Sequence, residues 1–192
     1  MQGKGYGGAE ILGVILVKGI SERLPGKNFM EFDGKPLWKI NADKLSEAGI
    51  CVFLVTDGVS KEYVNTDALT VERPVWIGDK TEDVLNWHNS KFSDQYPLIL
   101  MQATNPLVDT EFISTAIHVF NNSSISKLVS INPYTCKRDG SLYITDDGVL
   151  YDEDMWVIYK GDTLIVMACD IDVWPDYCIA RAISEGRVIN VQ

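Results

Sequence analysis

The chain has 192 residues, 46% hydrophobic and 23% charged, which suits one compact domain with a sizeable core and gives no sign of a fibrous or disordered protein. A formal net charge of -10 excludes the broad basic face that a nucleic-acid or anionic-membrane partner needs, while leaving room for a small anionic ligand met by a few clustered cations. The 4 cysteines form no C-x-x-C pair, and 2 histidines add little to them, so a structural zinc site is not expected.

Met1 to Glu10 is glycine-rich and reads as a loose tail. Its Gly3-Lys4-Gly5-Tyr6-Gly7-Gly8 matches G-x-G-x-x-G in letters only, because the strand that motif requires comes after it rather than before. Ile11 to Val17 is continuously apolar and β-branched, as in a strand covered on both faces. The basic, glycine-punctuated loop Lys18 to Asn28 follows it, with Gly26 and Pro25 ruling out a helix interior. The G-x-x-x-x-G-K-[ST] spacing of a Walker loop is not met.

Asp33-Gly34 predicts a turn, and Pro36 opens a helix to about Ala48 with Gly49 as its stop. Leu37, Ile40, Asn41, Lys44, Leu45 and Ala48 give that helix only a partial apolar stripe. Cys51 to Val55 is a second strand ending in Thr56-Asp57-Gly58, and Ser60 is placed to cap a short helix. Arg73-Pro74 leads into a predicted strand Val75 to Ile77, and Thr81 is the expected cap of a helix to about Phe92. Pro97 to Gln102 is another buried strand, Thr110 to Asn121 a helix, and Lys127 to Ile131 a strand.

The alternation of strands and helices predicts an α/β fold with a mostly parallel sheet. Between Asn132 and Lys160 the pattern changes. Asp139-Gly140 and Asp147-Gly148 read as turns separating the pieces Leu142 to Thr145 and Met155 to Tyr159, a small inserted β-hairpin region. Thr163 to Ala168 returns to a buried strand, Pro175 opens a helix to about Glu185, and Arg187 to Val191 forms a last edge strand. The domain reading is a tail over 1–10 and a single domain over 11–192, with 132–162 the hairpin region. Cys51 and Cys169 sit in apolar runs and read as buried thiols of a reducing compartment. No apolar run approaches the ~18 residues of a membrane span, and no secretory signal is read at the start, so the expected location is cytoplasmic.

Loops at the carboxyl ends of parallel strands converge on one crevice. Here those loops are Lys18 to Asn28, Gln102 to Leu107 and Asp170 to Asp172. Clustered cations, loop amides and paired carboxylates are the equipment for electrostatic catalysis at phosphorus with a bridging metal. Residue types alone leave ordinary readings open: Lys18, Arg23 and Lys27 as solvated cations, Gln102 as a surface amide, and Asp172 as a helix cap. His88 and His118 fall within helices, with no nucleophile spaced to make a triad.

The order of these segments resembles the acylneuraminate cytidylyltransferase family, the CMP-sialic acid synthetases and their relatives. Lys18-Gly-Ile-Ser-Glu-Arg-Leu-Pro-Gly-Lys-Asn28 is similar to that family's R-x-G-S-K-R-x-x-G-K-N signature. Gly34-Lys35-Pro36-Leu37, Val55-Thr56-Asp57, Arg73-Pro74 with Asp79 and Thr81, Leu100 to Leu107, and Asp170-Ile171-Asp172 with Asp176 resemble its later motifs in order. The resemblance implies a Rossmann-like nucleotidyltransferase fold, with helices on both faces of the sheet. It implies that a 2-keto-3-deoxy sugar acid is activated with CTP to a CMP-sugar and pyrophosphate, with Mg2+ as cofactor and a homodimer as the assembly. Carried onto this sequence, Lys18, Arg23, Lys27, Gln102 and Asp172 are the catalytic set, Arg23 and Lys27 on the triphosphate and Gln102 facing the sugar. Ser21, Asn28, Arg73, Thr81 and Thr104 contact the nucleotide, and Asp170 and Asp172 hold the metal. Lys18, Glu22 and Val108 differ from the family's residues, and the segment between Ile131 and Thr163 is short. Two further readings therefore stay open: the same fold acting on another acceptor such as a sugar phosphate, and a nucleotide-binding protein without turnover.

Overall fold

A computed structural model describes residues 10–58, 60–64, 69–77, 80–93, 96–132, 137–147, 156–158 and 170–186. Strand β1 (Leu12–Val17) is followed by a small antiparallel hairpin of β2 (Glu31–Phe32) and β3 (Lys35–Pro36) and by helix α1 (Leu37–Glu47). Asp33 (φ 51) and Gly34 (φ 78) form the hairpin turn, both in the left-handed region that such tight turns require. Then come β4 (Cys51–Thr56), β5 (Leu69–Glu72), α2 (Thr81–His88), β6 (Leu98–Gln102) and α3 (Thr110–Asn121). Strands β7 (Lys127–Asn132), β8 (Lys137–Thr145) and β9 (Trp156–Ile158) and helix α4 (Trp174–Ser184) complete the described chain.

The main sheet has the order β5-β4-β1-β6-β8-β7-β9. Its first four strands are mutually parallel. Strand β8 runs against both β6 and β7, and β9 is parallel to β7. The chain builds outward from β1 through β4 to β5, then returns to place β6 on the other side of β1. That reversal opens a crevice at the carboxyl ends of β1 and β6, where α/β proteins bind ligands.

Burial on both faces explains why the strands are apolar throughout. Ile11 just before β1, Ile15 and Val17 of β1, and Ile99 and Met101 of β6 pack with Trp38, Leu45, Phe112, Ile113 and Phe120 from α1 and α3. The alternate residues Leu12, Val14, Leu98 and Leu100 pack on Val84 and Leu85 of α2. This is the period-two alternation of a strand with helices on either side. A smaller cluster of Phe32, Leu37, Ile171 and Ala180 fastens α4 to the β2–β3 hairpin. No helix among the described residues is long and apolar enough to cross a membrane.

Several expectations need correction. Val75 to Ile77 is a turn, closed by Ile77 N–H donating to Pro74 O at 3.0 Å, and the strand lies just before it as β5. Leu-Thr-Val-Glu makes a largely exposed edge strand, so it carries no apolar run to reveal it. Asp139-Gly140 does not reverse the chain but lies inside β8. Pairing there slides from Val129↔Tyr143 to Ile131↔Arg138, and the buried Ser130 hydroxyl fills the gap, accepting from Leu142 N at 2.9 Å and donating to Leu142 O at 3.1 Å. The turn signal marks a bulge.

Strand β9 is no hairpin partner, since it joins β7 in parallel. Thr81 opens α2 but does not cap it; Lys80 holds that position without a side-chain bond. Ser60 does not act as a cap either: its own N–H is capped by Asp57 Oδ1 at 2.7 Å. Cys51 is exposed, not buried, because it stands at the amino end of its strand. The tail residues 1–9, Asp79, Gly148, Cys136, the Thr163 to Ala168 strand with Cys169, and Arg187 to Val191 lie outside the described residues.

Candidate active site

A cavity of about 350 Å³ opens at the carboxyl ends of the central strands. Its floor is apolar: Leu16 and Val17 of β1, Val55 of β4, Val84 of α2 and Ala103 after β6. Its polar lining is Lys18, Arg23, Lys27 and Asn28 from the first loop, Arg73 and Thr81, Gln102 and Thr104, and Asp170 and Asp172. The fold thus gathers residues of four separate segments. Ser21 is the exception among the expected residues, half-buried and outside the lining.

The first loop is fixed at its base. One peptide group, that between Lys18 and Gly19, is held at both ends: its carbonyl accepts from Asn28 Nδ2 at 3.0 Å, and its N–H donates to both Asp57 carboxylate oxygens at 3.0 and 3.1 Å. Asp57 is fixed in turn by Ser60, whose buried hydroxyl donates to Val17 O at 2.8 Å. Gly26 takes φ 69, a left-handed conformation that glycine adopts without a Cβ clash, and starts the short helical turn Lys27–Phe29 that carries Asn28 inward. Asn28 is buried, and its amide N–H serves the loop itself.

Across the cavity, Asp172 closes a bridge to the same loop. Lys27 Nζ donates to Asp172 Oδ1 at 2.8 Å and to Ile171 O at 3.1 Å, and Arg23 Nη1 lies 2.6 Å from Asp172 Oδ2. The Arg23 side chain is 66% exposed and its pair adds little stability, whereas Lys27 is 16% exposed and ties loop to helix. Asp172 does not cap α4, as its sequence position allowed; Val173 stands at the cap, and Asp176 reaches back to accept from the N–H groups of Asp172 and Val173 at 2.9 Å each.

Asp170 is the more sheltered carboxylate. Burial pushes its pKa above the ordinary carboxylate value, and the neighbouring Asp172 charge adds to that; a 2.6 Å hydrogen bond from Thr104 Oγ1 and the charges of Lys27 and Arg23 act the other way. A half-buried carboxylate beside a second one is a site that a divalent cation stabilises. Among the described residues no group of three His, Cys, Asp or Glu side chains could hold a metal, so oxygens from a ligand would have to complete the shell of such an ion.

Gln102 and Thr104 are presented by a loop braced from below, with Asn41 and Lys44 donating to its carbonyls. Sequence reasoning gave Asn41, Lys44 and Asp57 no part in the site. The available signal was polar residues at 41 and 44 within the apolar stripe of α1, positions that face the sheet. Val108 is fully buried, pointing its side chain into the core. His88 is buried against Phe53, its pKa lowered to about 4 by burial, and His118 is on the outer part of α3; neither lines the cavity.

Residues 12–159 match the family described as cytidylyltransferase. The chain belongs to the cytidylyltransferase family. No curated protein matches the sequence. Among solved structures, the chain is similar to a CMP:2-keto-3-deoxy-manno-octonic acid synthetase complexed with CTP, with 12% identity and TM-score 0.66 over 94% of this chain and 100% of that one. A cytidylyltransferase from Leptospira borgpetersenii serovar Hardjo-bovis gives 14% identity and TM-score 0.67 over 92% of this chain and 87% of that one. A Mycobacterium tuberculosis H37Rv protein in complex with manganese gives 15% identity and TM-score 0.63 over 89% and 97%. At these identities the likeness establishes the shared α/β nucleotidyltransferase fold.

Proposed function

We propose that this cytidylyltransferase transfers CMP from CTP to the anomeric hydroxyl of a small sugar acid of the 2-keto-3-deoxy class, releasing pyrophosphate. The observation that carries the reading is the set of cations Lys18, Arg23 and Lys27 facing the carboxylates Asp170 and Asp172 across one cavity at the β1/β6 crevice. The neighbour complexed with CTP and named for a keto-deoxy sugar acid supports the choice of nucleotide and acceptor class.

In this reading the acceptor hydroxyl gives up its proton to solvent and its oxygen bonds to the α-phosphorus, while the bond from that phosphorus to the bridging oxygen breaks and pyrophosphate leaves with that oxygen. Lys18, Arg23 and Lys27 neutralise the departing pyrophosphate, the largest contribution that fixed charges can make in phosphoryl chemistry. Asn28 keeps the loop rigid, Arg73 and Thr81 border the nucleoside end, and Gln102 faces the sugar. Asp170 and Asp172 suit a divalent ion such as Mg2+, which supplies charge neutralisation at the α-phosphate; the manganese complex of a neighbour supports a divalent cation in this fold. The homodimer implied by resemblance and the cytoplasmic location expected from the sequence belong to the same proposal.

Pyrophosphate release tests it, with CTP compared against ATP, GTP and UTP, a panel of keto-deoxy sugar acids and sugar phosphates as acceptors, and Mg2+ present or chelated. Release that needs CTP, a sugar acid and the cation is the expected result. Tight CTP binding with no release from any acceptor would leave a binding protein, and release only with sugar phosphates would move the acceptor class.

A further inference from the structure

The cavity depends on a loop that has little secondary structure of its own, running from Gln102 to Val108. Its carbonyls are held by side chains from one face of α1. Asn41 Nδ2 donates to Gln102 O at 2.7 Å and Asn105 O at 2.9 Å, and Lys44 Nζ donates to Pro106 O and Val108 O at 2.6 Å each. Asn41 and Lys44 are three apart, so they lie one above the other on the helix. Asn41 is fully buried, and only its NH2 end can face two carbonyls, which fixes the orientation of the amide.

The loop passes this constraint on to the acidic side of the cavity through Thr104. The Thr104 carbonyl accepts from Ile171 N–H at 2.9 Å, and its hydroxyl donates to Asp170 Oδ1 at 2.6 Å. Thr104 therefore holds both the backbone and the carboxylate of the Asp170–Ile171 segment. A contiguous chain of hydrogen bonds thus leads from α1 through the loop to Asp170. On this route Thr104 is the direct partner of Asp170, so the loop's position sets where the carboxylate stands.

We propose that Asn41 and Lys44 are positioning residues of the cytidylyltransferase site, acting through the Gln102–Val108 loop and Thr104 to place Asp170. The inference rests on the functional reading above for its kinetic consequence, but not for its structural one. Neither residue touches the cavity. Their chemistry is specific: both must donate, and each must donate to two carbonyls.

The test uses Asn41→Asp, Asn41→Ser and Lys44→Met in the full chain, with Thr104→Val as the downstream comparison. Asn41→Asp keeps the shape and sets a carboxylate against two carbonyls. Asn41→Ser is the milder change should Asn41→Asp fail to fold. Amide hydrogen exchange at Ile171 is read against the β1 and β6 amides. The expected result is exchange at Ile171 accelerated at least about tenfold with the strand amides unchanged, as for loss of a supporting hydrogen-bond shell. Unchanged Ile171 protection in folded variants overturns the proposal.

Kinetics supply the second arm. Expected is a fall in kcat for pyrophosphate release of about 10–100-fold with KM for CTP little changed, and a Lys44→Met/Thr104→Val double variant no worse than the poorer single one. Additive losses in that cycle mean that Lys44 does not act through Thr104 and overturn the route. If the wild-type chain shows no turnover, the functional reading fails while the exchange experiment still decides the brace.

Discussion

Lys27 Nζ and Asp172 Oδ1 meet at 2.8 Å, joining the loop after the first strand to the start of the last described helix across 145 positions of sequence. The same ammonium donates to Ile171 O, so Lys27 fixes the segment through both a charge and a carbonyl. In the proposed function this bond sets a cation assigned to phosphate directly against a carboxylate assigned to the metal. Substrate phosphate and divalent ion would each compete for one half of that pair, so the bond marks where the opposite charges of a nucleotide–metal complex would be received.

Asp172→Asn tests this pair directly. The substitution keeps the shape but removes the anion from Lys27 and Arg23. Pyrophosphate release should fall by at least about 100-fold, the scale for loss of a charged group acting on the transition state. Calorimetric CTP binding without metal should change far less. Turnover at the wild-type rate would show that Asp172 has no part in the chemistry.

Asn28→Ala removes the donor to Lys18 O from a buried position. Loss of a part-buried hydrogen bond of this kind costs about 0.5–1.5 kcal/mol, which chemical denaturation should detect. The freed peptide group should also loosen Lys18 and raise KM for CTP. A variant of wild-type stability would mean that the Asp57 contact alone holds the loop.

Lys44 gives a pH signature with a defined sign. Burial, the largest cause, lowers its pKa from 10.5 to about 8 against the opposing charges of Asp109, Glu47 and Asp33, with Lys35 adding to the lowering. The folded chain therefore gives up this proton before the unfolded chain does. Below pH 8 the charged lysine costs the fold on the order of 3 kcal/mol, and stability attributable to Lys44 rises as pH climbs from about 8 to 10.5. A neutral amine still has two N–H groups for the carbonyls of Pro106 and Val108. Urea midpoints of wild type minus Lys44→Met should accordingly increase across that window; a flat difference contradicts the shift.

Ser130→Ala probes the bulge in β8. The hydroxyl serves both backbone groups of Leu142 in a fully buried setting, so its loss should lower stability by about 1–3 kcal/mol. The melting temperature should drop by several degrees while CTP binding is retained, because Ser130 lies away from the cavity.

The chain by itself determined the parallel α/β core, because strands buried on both faces must be apolar throughout and helices between them must carry stripes. It also determined the candidate cations and carboxylates, since Lys18, Arg23, Lys27, Asp170 and Asp172 stand at strand ends that such a sheet gathers together. An exposed edge strand such as β5 has no such run and was legible only in three dimensions. Asp139-Gly140 favours a turn locally, yet β8 pairs with β7 before it at Lys137 and Arg138 and after it at Tyr143 to Thr145, so the chain makes only a bulge there. The supports of the site were decided by tertiary structure alone. Asn41, Lys44, Asp57 and Ser60 act on carbonyls and amides far from them in sequence, and backbone groups look alike in every residue until the fold brings their partners within hydrogen-bonding distance.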